Sequence, residues 1–276
     1  MPIVDLHCHS TASDGLLPPS DLARRALSNG VELLALTDHD NIDGLGDARS
    51  VVEASGKQFV NGVEISIEWG GLQVHILGYA FDAASEVLNA GLAGIRSGRI
   101  DRARRMGEAL AVAGVEGAFA GALRYAENPT LVSRAHFARY LVEIGVCKDV
   151  RSVFDSYIVP GKPGYVEHQW VSLADAVGWI RSAGGVAAVA HPGRYKLSRN
   201  EMRQMLDEFK MLGGQGIEVV SGSHSADNVS LYGRLAREYG FLASCGSDFH
   251  GSGESYVDLG RVASLPAGLV PIWEAF

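Results

Sequence analysis

Six of the nine histidines in this 276-residue chain fall where short apolar runs end, and acidic residues share those places. In order they are His7 and His9, Asp14, His39, Glu64, His75, His191, Asp248 and His250. Imidazole and carboxylate groups are what first-row divalent metals bind. A fold that gathers them must bring many strand ends, distant in sequence, to one rim. Nine donors are too many for one tetrahedral ion, so two or three ions sharing a bridging carboxylate are expected. The absence of cysteine among them disfavours a purely structural zinc site. The pattern predicts a hydrolase.

The elements around these donors predict the fold. Residues 3–8, 31–37 and 58–64 read as strands, and 63–68 with 73–79 as a hairpin around Gly70-Gly71. A helix is expected from Ser20 to Leu27, with Leu22, Ala23, Ala26 and Leu27 on one face and Asn29-Gly30 as its stop. After Ser172, an N-cap, Leu173, Ala176, Val177 and Ile180 mark another helix. Strands then follow at 186–190, 216–220 and 241–246, with helices near 200–212 and 227–239 between them. Short strands apolar throughout are those of a parallel sheet buried on both faces. Such a sheet, converging ligands from its first to its last strand, closes most simply as a barrel with its site at the C-terminal strand ends. His75 alone needs the hairpin to fold back across that rim.

Between residues 96 and 167 the alternation gives way to a helical pattern, read as a cap subdomain inserted into a barrel formed by 1–95 and 168–276. Its arginine run, Arg96 to Arg105, reads as a solvated helix face, with an RNA funnel as the alternative. The net charge of −8 argues against broad nucleic-acid binding, although bound cations can reverse the potential within a cleft. No apolar run reaches the ~18 residues of a membrane span. The chain enters a strand directly after Met1-Pro2, so no signal peptide is expected. Three scattered cysteines, Cys8, Cys147 and Cys245, point to reduced thiols and a cytoplasmic location. Cys8 lies between two candidate ligands, but strand alternation turns it to the other face.

The motifs Asp5-Leu6-His7-Cys8-His9-Ser10, Thr37-Asp38-His39-Asp40, Gly62-Val63-Glu64-Ile65, Ala190-His191-Pro192 and Ser247-Asp248-Phe249-His250 together resemble the PHP (polymerase and histidinol phosphatase) family. The resemblance spans the chain, and no ligand position is missing. It implies a distorted seven-stranded TIM-like (β/α) barrel with a trinuclear metal centre. One ion would take His7, His9, Glu64 and Asp248, a second Glu64, His75 and His191, and a third Asp14, His39 and His250. Three Mn²⁺ ions are expected, with Fe²⁺ or Zn²⁺ as alternatives, and a bridging hydroxide held by Glu64, His191 and Asp248 as nucleophile.

Within the insert, residues 133–138 and 161–166 resemble nucleotide-acting members of the family, above all the 3′,5′-nucleoside bisphosphate phosphatases. Arg134, Arg194, Ser133, His136 and Lys162 are therefore the candidate substrate-binding residues, arginine because its fork meets phosphate oxygens in pairs. A small nucleotide is the expected partner, with no membrane and no obligate protein partner. The alternatives are 5′→3′ exoribonuclease action on short RNA, another phosphatase activity such as that on histidinol phosphate, and a non-catalytic metal-binding regulatory module. His168 and His224 read as structural. Asp38 is expected to orient a ligand, and Glu218 to do the same or to pair within the barrel.

Overall fold

The computed structural model describes residues 2–168 and 170–276. Among them the chain forms β1 (Val4–Asp5), α1 (Pro19–Ser28), β2 (Leu33–Leu36), α2 (Leu45–Ala54), β3 (Gln58–Trp69) and β4 (Leu72–Tyr79). Helices α3 (Glu86–Val112), α4 (Ala118–Leu123), α5 (Arg134–Glu143) and α6 (Val150–Val153) follow. The remainder is β5 (Val171–Ser172), α7 (Leu173–Ser182), β6 (Val186–Val189), α8 (Arg199–Met211), β7 (Gly216–Ser221), α9 (Ala226–Tyr239) and β8 (Leu242–Gly246).

Seven strands lie in the order β1-β2-β3-β4-β6-β7-β8, with β5 paired to β3 off this path. All the neighbours are parallel except β4, which runs antiparallel to both β3 and β6. The last strand meets the first: Leu6 N donates to Cys245 O at 3.0 Å, Asp248 N to His7 O at 2.7 Å and His9 N to Phe249 O at 2.9 Å. The sheet thus nearly closes into the distorted barrel expected from the sequence. Gly246 permits the closure, because a Cβ there would stand 2.3 Å from that of His7.

Strands β2 and β6 are buried at every position, as their unbroken apolar runs require. On the outside, α7 starts with a capping box between Ser172 and Asp175 and buries the expected Leu173, Ala176, Val177 and Ile180. Each such Leu, Val or Ile contributes roughly 1.5–3 kcal/mol on burial.

Some elements differ from expectation. The β1 ladder covers only Val4–Asp5, because the chain beyond it turns its hydrogen bonds toward β8. The strand at 58–64 and the first hairpin arm are one twelve-residue strand, β3, which pairs with β2 through its first part and with β4 through its second. Helix α2 is not among the elements expected from the sequence; it buries only Leu45, Ala48 and Val52. Helix α3 runs unbroken across residues 95–96. Its first half, with Leu88, Leu92 and Ile95, packs on the barrel core, and its second half, with Ala103, Met106 and Leu110, on a separate apolar cluster that includes Phe137, Leu141 and Ile158.

Candidate metal centre

All nine candidate donors meet at the barrel mouth, arranged around Glu64. Its Oε2 lies 3.3 Å from His7 Nε2, 3.2 Å from His9 Nε2 and 3.1 Å from His39 Nδ1. Its Oε1 lies 2.8 Å from both His75 Nδ1 and His191 Nε2. His75 arrives because β4 folds back along β3, placing it opposite Ser66. Asp248 Oδ1 stands 3.5 Å from His7 Nε2 and 3.4 Å from His9 Nε2, and Asp14 Oδ1 3.4 Å from His250 Nε2.

Four overlapping groups have donor atoms within 4.8 Å of one another: His9, Asp14, His39 and His250; His7, His9 and Asp248; His7, Glu64 and His191; and His39, Glu64 and His75. Three donors are shared more widely than the family resemblance implied: His9 also faces Asp14, His7 also faces His191, and His39 also faces Glu64. His191 and Asp248 have positive φ, 23° and 53°. Neither is glycine, so the surrounding structure holds them in a strained conformation of the kind that collects at functional sites.

The donor set fits divalent cations. Nine buried side-chain polar atoms in the described residues lack a hydrogen-bond partner, and eight belong to this set: His7 Nε2, both His9 ring nitrogens, Asp14 Oδ1, His39 Nδ1, Glu64 Oε2, His191 Nδ1 and Asp248 Oδ1. Each such atom costs about 1–3 kcal/mol if left unmet. A protein core does not gather them without something to satisfy them.

The electrostatics agree. Burial works against the ionised forms of Glu64 and Asp248, but His75 and His39 beside the first, and Arg194 and His7 beside the second, hold both well below the usual carboxylate range. Burial lowers His7 and His9, yet carboxylates prevail at each: Glu218, Glu64 and Asp248 raise His7 well above its ordinary value, and Asp248 and Glu64 raise His9 to about 10. Burial, with Arg194 nearby, takes His191 down to about 4. Ionised carboxylates packed against imidazoles demand positive charge, which metal ions supply while displacing ring protons.

Buried polar residues brace the donors from behind. Glu218, fully buried, accepts from the His191 amide at 2.6 Å through Oε2, and its Oε1 lies 3.0 Å from His7 Nδ1. Asp38 accepts from the Ser10 amide and hydroxyl and from the Ser13 hydroxyl, fixing the loop that leads to Asp14. Cys8 faces away from the centre and donates to Ala35 O at 3.2 Å.

Of the candidate substrate residues, Arg194 is half exposed, and its Nη1 donates to Asp248 Oδ2 at 2.5 Å. Arg134 donates to Gln73 Oε1 at 3.3 Å, and Gln73 Nε2 lies 3.2 Å from His75 Nε2. Ser133 Oγ donates to Asp14 Oδ2 at 3.0 Å. His136 is buried and caps α5, its Nδ1 accepting from the Ser133 amide at 2.9 Å; burial lowers it to about 4. Lys162 is exposed, and among the described residues its side chain makes no hydrogen bond or ion pair with the donors.

The arginine run is not a solvated face. Arg99 and Arg102 are each 5% exposed. Arg99 pairs with Asp40 and donates to Ser66 Oγ, Arg96 donates to Asp40 O at 2.8 Å, and Arg102 donates to Val166 O at 3.0 Å. The guanidinium carbons of Arg99 and Arg102 lie 4.8 and 5.3 Å from the centre of the Trp170 ring. Arg104 and Arg105 alone are exposed. The i, i+3, i+6 spacing of Arg96, Arg99 and Arg102 was the available signal, since it places them on one face. His168 packs edge-on against Trp170, and His224 accepts from the Gly193 amide and stacks on Tyr232.

Comparison with known proteins gives a consistent picture. The family model described as the PHP domain matches residues 5–222. A 3′,5′-nucleoside bisphosphate phosphatase of Chromobacterium violaceum is 51% identical over 270 residues, which cover 98% of this chain and 95% of that protein. A 5′-3′ exoribonuclease of Haemophilus influenzae is 39% identical over 272 residues, covering 99% and 98%. Among solved structures, an amidohydrolase from Chromobacterium violaceum with bound sulfate and no metal superposes with a TM-score of 0.96 at 50% identity, covering 99% of this chain and 95% of that one. A protein from Bifidobacterium adolescentis assigned as a metal-dependent phosphoesterase superposes with a TM-score of 0.83 at 26% identity, covering 98% and 93%.

Proposed function

The chain belongs to the PHP domain family and is a phosphoester hydrolase, and from that premise we propose that it removes the 3′-phosphate of nucleoside 3′,5′-bisphosphates. The observation that carries this reading is the convergence of nine donors, eight of their buried atoms unpartnered, beside the two arginines Arg194 and Arg134. His7, His9, Glu64 and Asp248 are assigned to one divalent ion, Glu64, His75 and His191 to a second, and Asp14, His39 and His250 to a third. Mn²⁺ suits this mixed set, with Fe²⁺ or Zn²⁺ as alternatives. Bound there, such ions supply Lewis-acid charge for the phosphoryl oxygens and bring a water's proton loss toward neutral pH.

The protein's own groups do the rest. Glu218 fixes the ring of His7 and the strained backbone of His191, so both would meet their ions already oriented. Arg194, partly open to solvent and anchored on Asp248, offers its remaining N–H groups to the reacting phosphate. Arg134, the first residue of α5, is assigned the second phosphate. The solved relative from Chromobacterium violaceum holds bound sulfate, an ion that shares its tetrahedral shape and charge with phosphate. No helix among the described residues is long and apolar enough to cross a membrane, and the free thiols at Cys8, Cys147 and Cys245 support a cytoplasmic enzyme.

The exoribonuclease relatives support the alternative substrate, short RNA. Phosphate release from adenosine 3′,5′-bisphosphate and mononucleotide release from a short RNA, each with Mn²⁺, separate the two. Faster turnover of the bisphosphate is expected. Turnover of RNA alone would overturn the assignment, and no turnover of any phosphoester would leave a regulatory metal-binding module.

A further inference from the structure

The cation site assigned to Asp14, His39 and His250 differs from the rest of the centre in what holds it. We propose that helices α3 and α5 complete this site, so that its occupancy and the docking of those helices are thermodynamically coupled. The inference rests on the reading that these three side chains share an ion.

Each ligand of the trio is tied to one of the two helices. Ser133, at the start of α5, donates to Asp14 Oδ2 at 3.0 Å and so turns Oδ1, unpartnered, toward His250 Nε2. Arg139, one helical turn or more further along α5 and nearly buried, donates through Nη2 to the Asp14 carbonyl at 2.6 Å. The same guanidinium grips Glu254 with two bonds of 2.8 Å, and the next residue, Ser255, accepts from the His250 amide at 2.7 Å. Beside His39, Asp40 has a φ of 48° and is held there by Arg99 and Arg96 from α3. From the barrel itself, Asp38 fixes Ser10 and Ser13 but makes no bond to the Asp14 carboxylate. His7 and His191, by contrast, rest on Glu218 of β7, inside the barrel.

The physical consequence is reciprocal. If docked helices orient the trio and strengthen its hold on a cation, that cation must stabilise the docking by the same factor. Residues outside a metal's direct ligands typically change its affinity ten- to a hundredfold when removed.

The test compares Mn²⁺ binding, by elemental analysis and titration without substrate, in the wild type, Asp14→Asn, Ser133→Gly and Ser133→Thr. Glycine retains most of the helix-capping preference but has no hydroxyl to donate, whereas threonine keeps both functions. The wild type should hold three ions and Asp14→Asn two. Ser133→Gly should bind one of the three roughly ten- to a hundredfold more weakly and the other two as the wild type does, with Ser133→Thr restoring the affinity. Amide exchange across residues 133–143 should slow when the wild type is loaded, and not when Asp14→Asn is. Three ions at wild-type affinity in Ser133→Gly, with two in Asp14→Asn, would overturn the coupling while leaving the ligand assignment intact. Fewer than three in the wild type, or an unchanged number in Asp14→Asn, would overturn the assignment itself and the coupling with it.

Discussion

The half of the donor cluster nearest β6 and β7 is braced by the barrel, and the half nearest α3 and α5 by helices packed from outside. On the barrel side one buried carboxylate, Glu218, holds both His7 and His191. On the helical side Ser133, Arg139, Arg96 and Arg99 share the task through longer chains of contacts. A strand interior can afford a single rigid brace because its backbone is already fixed by the sheet. Residues 10–15 and 250–256 lie outside the strands and draw part of their support from side chains. The difference separates a permanent part of the centre from one that depends on tertiary docking.

Glu64 belongs to both halves, so its loss should have the largest effect. Glu64→Ala is expected to lower kcat/KM for phosphate release by roughly a thousandfold or more, since several kcal/mol of charge stabilisation depend on it. Residual activity within tenfold of wild type would remove Glu64 from the centre. Next comes Arg99, whose removal takes from the buried Asp40 carboxylate its ion-pair partner. Arg99→Met should destabilise the fold by about 3–5 kcal/mol in urea denaturation, and adding Asp40→Leu should recover part of it. No recovery would mean that Arg99 acts through packing on Trp170 rather than through Asp40.

Glu218→Gln sharpens the comparison from the other side. It should weaken ion binding on the barrel side about ten- to a hundredfold while sparing the Asp14 ion. Loss of the Asp14 ion first would erase the distinction between the halves. Arg134→Ala should slow hydrolysis of a bisphosphate about tenfold more than that of a simple monoester, because remote binding contributes only where a second phosphate exists. Equal losses would refute that role. Lys162→Ala should change kcat/KM by less than about twofold, as expected for an exposed side chain that makes no hydrogen bond or ion pair with the donors.

The cluster of candidate donors was legible in the sequence because most of them lie at or near the ends of apolar runs, and parallel strands of a barrel end on one rim. His75 was the harder case: only the hairpin at Gly70-Gly71 shows that β4 returns antiparallel and lays His75 beside Glu64. The braces were less legible. Glu218 is a lone acid within the apolar run of β7, a signal that a buried partner exists but not which one. Arg99 and Arg102 depart from the expected solvated face because what lies against them, Asp40 and Trp170, is set by tertiary packing and not by local pattern. Helix α2 gives little periodic signal for a related reason, since only three of its ten residues are buried. Local pattern thus revealed which side chains carry the chemistry, whereas the contacts that orient them depend on pairs far apart in sequence.

That the nine donors share bound cations is the claim on which everything else rests. Anomalous diffraction from crystals of the protein loaded with Mn²⁺ should show three peaks within the ring of nine donors, one of them between Asp14, His39 and His250. An empty ring, or manganese bound only elsewhere on the molecule, would contradict it.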